Sequence, residues 1–143
     1  MCKSLFLASL LASMTFAQNA MAQDGTYGIP ISSTVVVLFA DNSFVFRPNT
    51  EQAELLVDAK QAALISIRGR TSTNKPTAKD EALAMARALS ARTYLIAHGA
   101  SPLKVSVNFA SAADFIADNS TPRGRHENQR VEVELVFVPA LSN

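Results

Sequence analysis

Cysteine is all but missing from this chain. Cys2 is the single one among 143 residues, and it lies in an opening stretch expected to be removed. The remainder can form no disulfide and offers neither a thiolate nucleophile nor a cysteine metal ligand. Tryptophan is absent, and histidine is limited to His98 and His126. An excess of one charge is lacking too: 13 basic residues face 12 acidic ones, which leaves no broad basic field for nucleic acid. Beyond the opening segment, no apolar run is long enough to cross a bilayer.

What is present begins with MCKSLFLASLLASMTFAQNAMAQ. Lys3 precedes an apolar run from Leu5 to Phe16, and Ala20-Met21-Ala22 supplies a small-x-small cleavage signal. This is the three-part form of a secretory signal peptide over residues 1–22, cut before Gln23. The run is short for a spanning helix, and no cysteine stands at the cut to accept a lipid. An exported chain without a direct membrane anchor is therefore expected. Cleavage would leave 143 − 22 = 121 residues, which suits one domain with one core. Residues 23–33, rich in Gly, Pro and Ser, read as a flexible leader, 34–138 as the folded unit, and 139–143 as a frayed tail.

Within the folded unit, TVVVLFA (Thr34 to Ala40) is β-branched and apolar, the pattern of a central strand buried on both faces. A DNS turn and a short FVF run follow, the latter ended by Arg47-Pro48. NTEQAELLVDAKQAA reads as a helix with Asn49 or Thr50 as N-cap and Ala53, Leu56, Val57 and Lys60 on one stripe. LISIRG alternates Leu64, Ser66 and Arg68 against Ile65 and Ile67, a second strand ending at Gly69. Thr77 and Asp80 have capping-box spacing. The helix they open stops at Gly99, a natural C′ residue, with an expected buried stripe of Ala82, Met85, Ala86, Leu89, Thr93, Ile96 and Ala97. LKVSVNF is a third strand. ASAADFIADNSTPRGRHENQ is a long polar connection with at most one helical turn. RVEVELVFV is a last strand with Val131, Val133, Leu135 and Phe137 inward and Glu132 and Glu134 on a wet face. The order β-α-β-α-β-β implies an α/β fold of the α+β sandwich type, a mixed sheet with two helices on one face.

These residues resemble the OmpA-like C-terminal domain, the peptidoglycan-associated module of Gram-negative envelopes. Where that family has GHTD at the end of its second strand, this chain has GRTS, Gly69 to Ser72. Its helix motif N-x-x-L-S-x-x-R-A matches DEALAMARA, Asp80 to Ala88, and its late motif matches ADNSTPRGRHENQRVEV, Ala117 to Val133. The late match is specific, because Asn119, Thr121, Gly124, Arg125, Asn128 and Arg130 all fall at the family spacing. The resemblance runs from Val35 to Phe137.

The resemblance implies a periplasmic domain that binds the diaminopimelate side chain of the peptidoglycan peptide stem. Such a ligand end carries an ammonium and a carboxylate, so it needs an acid and an Arg fork. The family's Arg carries over to Arg87, but its Asp carries over to Ser72, which has no charge. Losing a charge-assisted contact costs on the order of 1.5–3 kcal/mol, roughly a ten- to hundredfold loss of affinity. Arg70 replaces the family's His, which makes the expected pocket more cationic than its template. The pocket carried over comprises Arg70, Thr71, Ser72, Asp80, Arg87, Arg125 and Arg130.

Three readings stay open. Asp80, two helical turns before Arg87 and about 10 Å away along the axis, replaces the lost acid, or serves only its capping box. Alternatively Arg70, Arg87 and Arg125 form an anion site. Or the fold is an assembly surface, with Arg87, Arg125, Asn128 and Arg130 bracing the late loop. No catalytic constellation emerges, since neither His has an acid partner at helical spacing and no base activates Ser72 or Ser90. No metal and no cofactor is expected. Two non-enzymatic functions follow: a module that contacts peptidoglycan, or a component of an envelope assembly such as a secretion or conjugation apparatus that reads a protein partner.

Overall fold

The computed structural model describes residues 28–112 and 114–140, so the export segment, the first part of the leader and residues 141–143 lie outside the described residues. Strands β1 (Ile31–Leu38), β2 (Leu64–Arg70), β3 (Val105–Ala110) and β4 (Arg130–Phe137) form one sheet in the order β1-β4-β2-β3. β4 runs antiparallel to both β1 and β2, whereas β2 and β3 are parallel. Helices α1 (Thr50–Leu56), α2 (Ala78–Ala97) and α3 (Pro122–Asn128) complete the chain. This is the mixed-sheet α+β architecture expected from the sequence. No helix among the described residues is long and apolar enough to cross a membrane.

Alternation decides which face is dry. Val35 and Val37 of β1, Ile65 and Ile67 of β2, and Val131, Val133 and Leu135 of β4 point to the helices and are buried. Each contributes about 1.5–3 kcal/mol of apolar burial. Leu56, Ala59, Ala88, Ala91 and Leu95 complete the core from the helical side. The other face carries Arg68, paired with Glu132 and Glu134, and Arg130, paired with Glu132.

Four details depart from the sequence expectation. β1 is an edge strand, not a central one, and begins at Ile31, three residues inside the expected leader. Its outward residues Val36 and Leu38 stay 37% and 41% exposed, because the helices cover only one face of the sheet. Gln52 covers part of its free edge by donating Nε2 to the Val36 carbonyl at 2.7 Å. The polar connection after β3 contains a full short helix, α3, capped by Thr121, whose hydroxyl accepts from the Gly124 N–H at 2.9 Å. A Cβ on Gly124 would stand 1.9 Å from the Asp118 carbonyl oxygen, so only glycine fits this crossing.

The third departure is the face of α2. Its capping box is present: the Thr77 hydroxyl accepts from the Asp80 N–H, and the Asp80 carboxylate accepts from the Thr77 N–H at 2.9 Å. Gly99 ends the helix at φ +97°. The buried residues, however, are Ala84, Arg87, Ala88, Ala91 and Leu95, not the expected stripe. Met85 and Leu89 stay 39% and 45% exposed. Close approach selects for size here: a Cβ on Gly69 would meet the Ala84 carbonyl oxygen at 2.2 Å and the Ala88 Cβ at 3.0 Å. α1 is likewise shorter than its stripe. It tightens into a 3₁₀ turn at Val57, which buries Ala59 and leaves Val57 54% exposed.

Candidate functional site

The loop after β2 and the first turn of α2 form one wall of a cleft of about 340 Å³. Thr71, Ser72, Thr73, Asp80 and Leu83 line this wall, Asp41 and Asn42 enter from the turn after β1, and Arg125 and Gln129 come from α3 and its end. The late motif holds these pieces in register. Asn119 donates to the Ser72 carbonyl at 2.6 Å and to the Asn74 side chain at 2.7 Å. Asn128, fully buried, accepts from the Ile116 and Ala117 N–H groups at 2.8 and 3.1 Å and donates to the Ala117 carbonyl at 3.0 Å. Arg130, 1% exposed, donates to the Asp114 carbonyl at 2.6 Å. Most of the long motif is thus loop architecture.

Four of the seven residues carried over by resemblance line the cleft: Thr71, Ser72, Asp80 and Arg125. The structure places the other three elsewhere. Arg70 follows the strand alternation onto the outer face, 5% exposed, where Nη2 meets the Asp114 carboxylate at 2.6 Å and Nη1 the Asn108 side chain at 3.1 Å. Arg130 lies on the same outer face and lines a separate groove with Arg68, Arg70 and Glu132. Arg87 lies behind the cleft wall at 0% exposure.

Arg87 is engaged along its whole fork. Nε donates to the Ser43 carbonyl at 2.8 Å, Nη1 to the Arg70 carbonyl at 3.0 Å, and Nη2 to the Ala40 carbonyl at 3.3 Å and to Gln129 Oε1 at 3.0 Å. Its guanidinium also sits 5.1 Å from the Phe39 ring centroid, within cation–π range. Burial pushes its pKa down to about 10, opposed by the Asp41 carboxylate, so it remains a cation near neutral pH. Ala40 and Ser43 are the ends of a β-turn closed by the Ser43 N–H to the Ala40 carbonyl at 3.0 Å, with Asn42 at φ +56°. Arg87 therefore grips both ends of the turn that presents Asp41.

The sign of the cleft changes accordingly. The expected surplus of cations disappears with Arg70 and Arg87, and the charged lining is Asp41 and Asp80 against Arg125. The Asp80 carboxyl is held below the usual carboxylate range by hydrogen bonds from Thr77, and both of those bonds land on Oδ2. Arg125 donates Nη1 to the Ser120 carbonyl at 3.0 Å. Asp41 and Gln129 are the residues that sequence reasoning missed here. DNS read as a plain turn, and Gln129 lay unremarked in the late connection; neither shows its partner without the fold.

A larger, more apolar groove of about 540 Å³ lies between α1 and the C-terminal end of α2. Pro48, Leu56 and Lys60 line it together with Tyr94 and His98, whose rings stack at 4.1 Å. It offers Glu54 and Lys60 but no convergent set of polar groups, so the smaller polar cleft is the better candidate for specific recognition.

Comparison with known proteins bears on what such a cleft does. A sequence profile described as the OmpA family matches residues 38–129. The chain is 31% identical over 129 residues to a candidate type IV secretion system outer membrane lipoprotein of Brucella suis biovar 1, covering 88% of this chain and 75% of that one. Among solved structures, the cell wall anchor of the type VI secretion system from Pseudomonas aeruginosa superposes with a TM-score of 0.59 at 25% identity, covering 76% of this chain and 82% of that one. The peptidoglycan-associated lipoprotein from Burkholderia pseudomallei superposes with a TM-score of 0.60 at 19% identity, covering 71% and 88%.

Proposed function

This chain belongs to the OmpA family, and from that premise we propose that it is a non-enzymatic periplasmic domain of the Gram-negative envelope. It contacts the peptide stem of peptidoglycan through the cleft between Asp41 and Arg125, with diaminopimelate recognition altered from the family's usual form. The observation that carries this reading is the cleft itself. It opens where the resemblance locates the pocket, between the loop at Ser72 and the start of α2, and it holds both signs of charge. The name of the Pseudomonas neighbour, a cell wall anchor, supports the same reading.

A second reading is favoured by the Brucella relative, whose name assigns it to a type IV secretion system. In it the domain is a component of a secretion assembly, and residues 1–22 export it to the periplasm, where a protein partner supplies any tether to the membrane. Sedimentation of the purified mature chain with isolated sacculi separates the two. Wall contact places the protein in the pellet, and Arg125→Ala moves much of it to the supernatant. Protein that stays in the supernatant at every concentration leaves the assembly reading.

A further inference from the structure

We propose that Asp41, rather than Ser72, is the cation-binding residue of the cleft, and that with Arg125 it selects a small ligand end carrying both an ammonium and a carboxylate. This rests on the reading of the cleft as the peptide-stem site.

The argument starts from an amide whose direction is fixed. Gln129 is 7% exposed and accepts from Arg87 Nη2 through Oε1, so its Nε2 faces the other way and donates to Asp41 Oδ1 at 2.6 Å. Asp41 Oδ2 receives no hydrogen bond from any described residue. The turn beneath it is fixed by its own 3.0 Å backbone bond and by Arg87 at Ala40 and Ser43. Asp41 is thus a preorganised carboxylate with one oxygen anchored and one available, which is what an ammonium needs to offset its desolvation.

Asp80 also keeps one oxygen open, but its Oδ2 takes both Thr77 bonds of the helix cap. Asp80→Asn, which keeps a cap oxygen, is therefore the control and should weaken binding less than Asp41→Asn. Ser72 is neutral, and its carbonyl already accepts from Asn119 at 2.6 Å. On the cationic side Arg125 stands alone, because Arg87 is fully buried and Arg70 faces away. Its Nη1 is occupied by the Ser120 carbonyl, which leaves the rest of the fork for a carboxylate. A dicarboxylate without an amine would instead meet two carboxylates of like charge.

Calorimetric titration of the mature chain with free diaminopimelate, and with pimelate as the same chain lacking both amines, tests the assignment. Asp41→Asn keeps an oxygen to accept from Gln129 but removes the charge. The expected result is binding of diaminopimelate and not of pimelate, weakened about tenfold or more by Asp41→Asn and recovered by Asp41→Glu. Ser72→Asp should change it by far less. A thermal midpoint equal to wild type in Asp41→Asn shows that the turn survives. Three outcomes overturn the proposal: diaminopimelate binding that Asp41→Asn leaves unchanged, pimelate binding as tight as diaminopimelate binding, or a tenfold gain in Ser72→Asp. In each of these the wall-contact reading stands if sacculi still sediment the protein. Absence of binding to both diaminopimelate and sacculi overturns the two together.

Discussion

Arg87 Nη2 and Gln129 Oε1 are joined by a 3.0 Å hydrogen bond between two buried side chains. Through it, a residue that family resemblance assigns to the ligand acts instead on the scaffold. Replacing Arg87 by Met keeps most of its volume and removes every donor. The Arg70 carbonyl and Gln129 Oε1 then lose a buried partner, while the part-buried Ala40 carbonyl keeps the Ser43 N–H and the part-buried Ser43 carbonyl lies nearer solvent. A buried group left unpaired costs about 1–3 kcal/mol, so the expected destabilisation is on the order of 2 kcal/mol or more, read from the denaturant midpoint. Arg87→Lys should restore little of it, since one ammonium cannot span acceptors spread over a planar fork. An Arg87→Met protein as stable as wild type would mean that the guanidinium serves a ligand after all.

Gly69→Ala should be more damaging than a single methyl suggests. The added carbon would stand 2.2 Å from the Ala84 carbonyl oxygen, so α2 must lift from the sheet. Overpacking of this kind costs about 1–3 kcal/mol. The loss should appear in thermal unfolding, with added exposure of Leu95 and Ala91 to hydrogen exchange at their backbone.

How much of this was legible beforehand depended on range. The capping box of Thr77 and Asp80, the turn at Gly99 and the alternation of Leu64 to Arg68 are local rules, and the structure keeps them. The face of α2 was not legible, because the pattern rewards large apolar residues while the packing distance at Gly69 rewards small ones. β1 looked central because its run is continuously apolar, and nothing within it signals which neighbours it will have. Resemblance located the cleft but not its charges. Arg70 lies on the face opposite the one its motif position suggested, and Asp41 enters from a turn thirty-one positions before Ser72 in the chain.

The outer-face pair Arg70 and Asp114 should give the domain an acid-sensitive term. The Arg70 guanidinium, by hydrogen bond and charge, holds the Asp114 carboxyl below the usual carboxylate range. A folded-state pKa below the unfolded one stabilises above the unfolded value, and that contribution is lost as pH falls through the folded one. The stability difference between wild type and Asp114→Asn should therefore be constant from about pH 7 to pH 5 and shrink below about pH 4. A difference that grows on acidification would contradict the assigned pairing.

The most direct test of the central claim, that the polar cleft is where this domain meets peptidoglycan, is a titration of isotopically labelled mature chain with a soluble muropeptide, followed by amide chemical shifts. The account predicts concentration-dependent shifts at Asp41, Asn42, Ser72, Thr73, Asp80 and Arg125, with the Tyr94–His98 groove unmoved. Shifts confined to residues 48–60 and 94–98, or a spectrum unchanged at saturating muropeptide, would contradict it.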